Sequence, residues 1–103
     1  MDAGTAFQRL LTIAKKSDTG QAGRVASFVA AVIDMNKFDL YDLRPLDEQI
    51  SDDILLCINF IRWGKLALTD TTPQGMEQAM EVCVVWGYAQ PESETGLYKT
   101  VRP

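Results

Sequence analysis

The chain has 103 residues, a formal net charge of -4, and 47% hydrophobic against 23% charged residues. That length predicts one domain, able to bury over about 60% of its unfolded-chain surface, and that balance excludes disorder for the bulk of the chain. Mild acidity argues against a broad face for nucleic-acid phosphates, which needs clustered Lys and Arg, though a local basic cluster can survive inside an acidic total.

At the N-terminus, Gln8, Arg9, Thr12 and Lys15 interrupt the apolar residues, and Met1-Asp2-Ala3-Gly4-Thr5 lacks the basic start of a secretory signal. Nowhere does a run approach the roughly 18 apolar residues of a membrane span. The expectation is a cytoplasmic protein without membrane contact. The first helix is predicted over about 3–16, with Ala3, Phe7, Leu10, Leu11 and Ala14 on one face. Asp18-Thr19-Gly20-Gln21 then reads as a capping box, Asp18 accepting from first-turn amides and Gln21 reaching back. It opens a second helix over about 20–34, whose Val25, Phe28, Val29, Val32 and Ile33 are flanked by Ala22, Ala26, Ala30 and Ala31, small enough to admit a close neighbour.

The turn between these helices is a candidate anion site. Lys15, Lys16 and Arg24 supply charge, while Gly20 and Gly23 free the backbone at a helix N-terminus. A capped turn with glycines chosen for backbone geometry is the simpler reading. The Gly20-Gln21-Ala22-Gly23 spacing is similar to the loop of a KH module, but the strands of that fold are not legible here. After Arg24 the second helix offers no Lys or Arg before Lys37, so it reads as a core helix and not as the recognition helix of a helix-turn-helix.

Phe38-Asp39-Leu40-Tyr41-Asp42-Leu43 is an acidic and aromatic connector expected to form a single turn. Pro45 then suits a first helical position, with Asp47 and Glu48 in the first turn and Gly64 as a stop, predicting a third helix over about 45–63. This helix carries two apolar stripes. Leu46, Ile50, Ile54, Cys57, Ile58 and Ile61 form the expected core face, while Leu56, Phe60 and Trp63 recur on another. Asp52 and Asp53 share that second side and are expected to stay wet. A helix apolar on two sides is buried on two sides, by its own domain or by a second protein. Leu56, Phe60, Trp63, Asp52 and Asp53 are therefore the candidate partner-binding surface, with a homodimer as the simplest cover; the competing reading places Trp63 in the core.

Lys65 to Thr72 reads as a loop, and Thr72-Pro73 starts a fourth helix over about 73–88 with Met76, Ala79, Met80, Cys83 and Trp86 on one stripe. Val82 to Trp86 also has the composition of a strand and could pair with Leu97 to Val101, which makes an α+β fold with a C-terminal hairpin the alternative. Residues 91–103 form a polar tail after a helical domain at 1–90. Histidine is absent, which removes Ser-His-Asp and Cys-His catalysis and most zinc sites. Carboxylate chemistry remains, but Asp39, Asp42, Asp47, Glu48, Asp52 and Asp53 match no EF-hand spacing and have ready helix-start and surface roles. No metal, cofactor or catalytic residue is expected. Cys57 and Cys83, far apart within apolar runs, are expected to be buried thiols.

The run Asp18-Thr19-Gly20-Gln21, Arg24-Val25-Ala26, Phe28, Phe38-Asp39-Leu40, Asp42-Leu43, Asp47, Ile50, Asp52 and Asp53 resembles an uncharacterised family of small bacterial proteins encoded largely on plasmids and other mobile elements. The resemblance covers about residues 10–90 and departs from the family's pattern at Met35 to Lys37 and after Pro91. It implies an accessory gene of a mobile element or its host, and no mechanism.

These readings combine into a small all-α domain of four helices that acts, without catalysis, as an accessory or regulatory protein-interaction domain. Its alternatives are an anion or nucleic-acid binder through the 15–24 turn, an acidic inhibitor that mimics nucleic acid, and a carboxylate-based enzyme.

Overall fold

A computed structural model describes residues 2–91 and 98–100. Its four helices are α1 (Ala3–Lys16), α2 (Gly20–Val32), α3 (Glu48–Trp63) and α4 (Gly75–Val85), with single 3-10 turns at Leu40–Leu43 and Leu68–Thr71. The domain is all-α. A short antiparallel ladder follows α4, pairing β1 (Ala89–Pro91) with β2 (Tyr98–Thr100) so that Ala89 faces Thr100. The valines at 82–85 are helical: Ala79, Val82 and Cys83 fall on one buried face at i, i+3 and i+4, and that burial overrides the β-propensity of the segment. The remainder of the polar tail lies outside the described residues.

α1 is the hub, packing against α2, α3 and α4, which is why its Ala6, Phe7, Leu10, Leu11 and Ala14 are all fully buried. α3 rests on α1 and on the Leu68–Thr71 turn, whereas α2 packs against α1 and α4. Asp2 caps α1 by accepting from the Thr5 amide at 2.7 Å, an interaction that lowers the carboxyl pKa below its ordinary value. At the other end, the Trp86 indole donates to the Ala14 carbonyl at 2.8 Å, satisfying one of the carbonyls that a helix terminus leaves open.

The helix boundaries differ from the sequence expectation wherever the chain folds back on itself. Thr19, not Asp18, caps α2, its hydroxyl accepting from the Ala22 amide at 3.1 Å. Gln21 does not close a capping box; its Oε1 accepts from the Asp47 amide at 2.7 Å and ties the start of α2 to the start of α3. Helix α3 begins at Glu48, because the chain turns at Pro45 to bury Leu46. Helix α4 begins at Gly75, not Pro73. Gln74 adopts a left-handed backbone (φ 52°), and Gly75 lies so close to the Thr69 carbonyl that no Cβ fits. Thr72 does not cap α4 but follows the Leu68–Thr71 turn, and its hydroxyl donates to Gln8 Oε1 at 2.7 Å.

Helices α2 and α4 end earlier than about 34 and 88 through the same Schellman motif. The Met35 amide donates to the Ala30 carbonyl and the Asp34 amide to the Ala31 carbonyl; Tyr88 and Gly87 repeat the pattern onto Cys83 and Val84. Asp34 and Gly87 take the left-handed position at φ 62° and 82°.

Candidate functional site

The two stripes of α3 behave differently from expectation. Ile54 and Cys57 are buried in the core, and Leu56 and Phe60 are half-buried against it. Asp53 is not on a wet face: it is only 3% exposed, and it accepts from Arg9 Nε at 2.9 Å (Oδ2) and from Arg9 Nη2 at 2.5 Å (Oδ1). The reason is α1, whose Arg9 covers this side of α3 and draws the carboxylate inward in a bidentate pair. Burial chiefly, and the charge of Asp53 in addition, push the Cys57 thiol up to about 12, while burial alone pushes Cys83 to about 11. Both cysteines are the buried free thiols that their apolar runs predicted.

Of the sequence-derived partner-binding residues, Asp52 and Trp63 reach solvent. Trp63 is 68% exposed, with the Arg62 guanidinium 4.4 Å from its ring centroid, so it is not a core residue. The stripe Leu56, Phe60 and Trp63 is thus divided between packing and surface.

A different apolar site forms around the opposite side of the same helix end. Ile61, assigned to the core by its spacing, is 51% exposed; Met76, assigned to the core stripe of α4, is also 51% exposed, and Leu66 in the loop between them is 65% exposed. With Val32 and Ile33 from the end of α2, these three line one cavity of about 230 Å³, floored by Ala67, Leu68 and Thr69. Its walls come from α2, α3, α4 and the connecting loop. The tight turn Gln74-Gly75 aims Met76 into this rim, and Gly64 ends α3 so that Leu66 swings back beside Ile61. Sequence periodicity missed the site because it assigned Ile61 and Met76 to the interior. The legible signal was Leu66-Ala67-Leu68, an apolar triplet inside a loop.

The residues proposed for an anion site do not converge. Lys15 turns toward α4, donating to Gln78 Oε1 at 2.7 Å and lying 3.8 Å from Glu81. Arg24 lies 3.5 Å from Asp42 and also donates to the Gly20 carbonyl at 3.4 Å; Lys16 stays exposed. Gly23 has a packing reason, since a Cβ there would meet the Trp86 ring at 3.3 Å. The acidic stretch is equally dispersed: Asp39 accepts from the Tyr41 amide, Asp42 faces Arg24 and Asp53 faces Arg9. Among the described residues, no group of three His, Cys, Asp or Glu side chains could hold a metal ion. A second cavity of about 540 Å³ opens at the start of α1, but of its polar side chains Gln8 bonds Gln78 and Thr72, Arg9 bonds Asp53, Asp2 caps α1 and Thr71 donates to the Leu68 carbonyl.

A model of a family of unknown function, DUF7673, matches residues 4–87, which span all four helices and stop just before the ladder. The chain belongs to this family. Neither a curated protein nor a solved structure matches it. The match includes every residue lining the apolar groove. Among the described residues no helix is long and apolar enough to cross a membrane.

Proposed function

We propose that this protein is a small accessory interaction domain, without catalytic activity, that binds another protein through the apolar groove at the end of α3. One observation carries the reading: Ile61, Leu66 and Met76 come from three separate segments, each at least half exposed, and line a single cavity. Exposed apolar residues scattered singly are ordinary, but a convergent cluster left open to water is the usual mark of a contact surface.

The anion-binding and carboxylate-enzyme readings have less support because Lys15, Arg24, Asp42 and Asp53 are each paired within the domain, while the nucleic-acid-mimic reading keeps only the exposed acids Asp39, Asp47, Glu48 and Asp52. An accessory role in a bacterium, encoded on a mobile element, belongs to the same proposal and rests on the family resemblance; a cytoplasmic location belongs to it as the expectation from the sequence.

The test is affinity capture from the native host with wild-type bait against the variants Ile61→Asp and Met76→Lys, both checked for wild-type helicity. The expected outcome is a protein retained by wild type and lost from both variants. Identical capture profiles would remove the groove as the contact surface.

A further inference from the structure

Building on the interaction reading, we infer that the occupant of the groove is one amphipathic helix of a different protein, seated by bulky apolar anchors, and not a second copy of this chain. Size is the first argument. The exposed parts of Ile61, Leu66 and Met76, with their half-buried neighbours, offer on the order of 300 Å² of apolar surface. A stable dimer of standard size buries roughly 800 Å² from each partner, of which about 60%, roughly 480 Å², is apolar. The patch is too small for that and suits a single element docking on it. The cavity of about 230 Å³ is likewise below the roughly 300–1,000 Å³ of small-molecule pockets, and holds one or two side chains.

Symmetry is the second argument. A two-fold dimer requires one patch that is both groove and ridge. The apolar projection that could fill a mate's groove is Trp63, two residues beyond Ile61 and therefore about 200° around α3. Groove and ridge on opposite sides of a helix give a head-to-tail contact, which builds rings or filaments and not a two-fold dimer. The third argument concerns the backbone. The groove is walled by side chains and helix ends, and the ladder strand β1 is not part of its lining. An extended peptide would bring amide and carbonyl groups with no sheet edge to receive them, whereas a helix arrives with its backbone already paired.

The probe is a displayed library of 15-residue helical peptides on an Ala/Glu/Lys background, with large apolar residues varied at i, i+4 and i+7, panned against the full chain. A matched library carries Pro at its centre. Sedimentation velocity on the protein alone runs in parallel, and Ile and Met methyl spectra map the contact. The expected result is a monomeric protein and enrichment from the helical library only. Selected peptides should bind with micromolar affinity, shift the Ile61 and Met76 methyls, and lose at least tenfold in affinity against Ile61→Asp and against Met76→Lys. Equal enrichment from the Pro library would overturn the helical occupant while leaving the groove as a contact surface. A dimer dissolved by the same two substitutions would overturn the foreign partner in favour of self-association. No enrichment from either library overturns the inference; the host capture experiment decides separately whether the groove binds protein at all.

Discussion

Arg9 on α1 and Asp53 on α3 form a two-pronged ion pair, 2.9 Å from Nε to Oδ2 and 2.5 Å from Nη2 to Oδ1, with the carboxylate buried and the guanidinium partly open to solvent. The hydrogen bond to Asp53 holds the Arg9 pKa above its ordinary value. The pair ties α1 to α3, and Gln49, one turn before Asp53 on α3, also donates to its Oδ1 at 3.3 Å and holds the carboxylate in place.

Removing Arg9 leaves a buried carboxylate without its cation, and removing the Asp53 charge takes from Arg9 its two-pronged acceptor. Arg9→Met and Asp53→Asn should each lower Tm, whereas the double variant Arg9→Met/Asp53→Leu should recover most of the loss, since apolar replacement of both members avoids the desolvation cost. Thermal unfolding of the three variants checks the order. A double variant clearly less stable than wild type would mean that the pair contributes net stability, and a loss equal to the sum of the singles would mean that the two side chains are not coupled.

The two Schellman motifs provide a matched comparison, because Asp34 and Gly87 hold the same left-handed position on different helices. Asp34→Gly should stabilise by about 0.5–1 kcal/mol, and Gly87→Ala should destabilise by about 1–2 kcal/mol. A Cβ at Gly87 meets nothing within 4 Å, so its cost is conformational alone. Urea denaturation with unchanged m-values is the measurement.

Gly75 and Gly20 should respond in opposite directions to alanine. At Gly75 the new methyl collides with the Thr69 carbonyl, forcing α4 away from the Leu68–Thr71 turn, at a cost of about 2–3 kcal/mol. At Gly20 it meets only the flexible end of Arg24 at 3.5 Å, so Gly20→Ala should be neutral or stabilise by up to about 1 kcal/mol. Chemical denaturation separates the two. A strongly destabilised Gly20→Ala would show that the 15–24 turn needs a freedom its packing does not demand.

Both thiols have raised pKa values in the folded protein, to about 12 for Cys57 and about 11 for Cys83, against about 8.5 when unfolded. The folded state therefore keeps protons that the unfolded state releases, and stability falls as pH rises from about 8.5 towards those values. The slope approaches about 1.4 kcal/mol per pH unit for each thiol, and Cys57→Ala should flatten it. Ellman's reagent at pH 8 should label neither residue natively and both in urea. Rapid native labelling would place a thiol at the surface.

Much of the fold is determined by the sequence alone, since helical periodicity depends only on residue order. The face of α1 from Ala3 to Ala14 and the alanine-flanked α2 follow from i, i+3, i+4 spacing and the buried thiols from their apolar runs, whereas Val82–Val85, which read as helix or strand, are helical because Ala79, Val82 and Cys83 are buried together. The absence of histidine fixes equally early which chemistries are closed to the chain. Periodicity, however, states which side of a helix is apolar and not whether anything lies over it. Asp53 reads as a surface acid until Arg9 arrives from 44 residues away, and Ile61 and Met76 read as core until the loop containing Leu66 leaves them open. The true helix starts at Glu48 and Gly75 likewise depend on close approaches, by Gln21 to Asp47 and by Gly75 to Thr69. Burial of a charge and exposure of an apolar side chain are decided by neighbours distant in sequence, so the groove exists only in the tertiary structure.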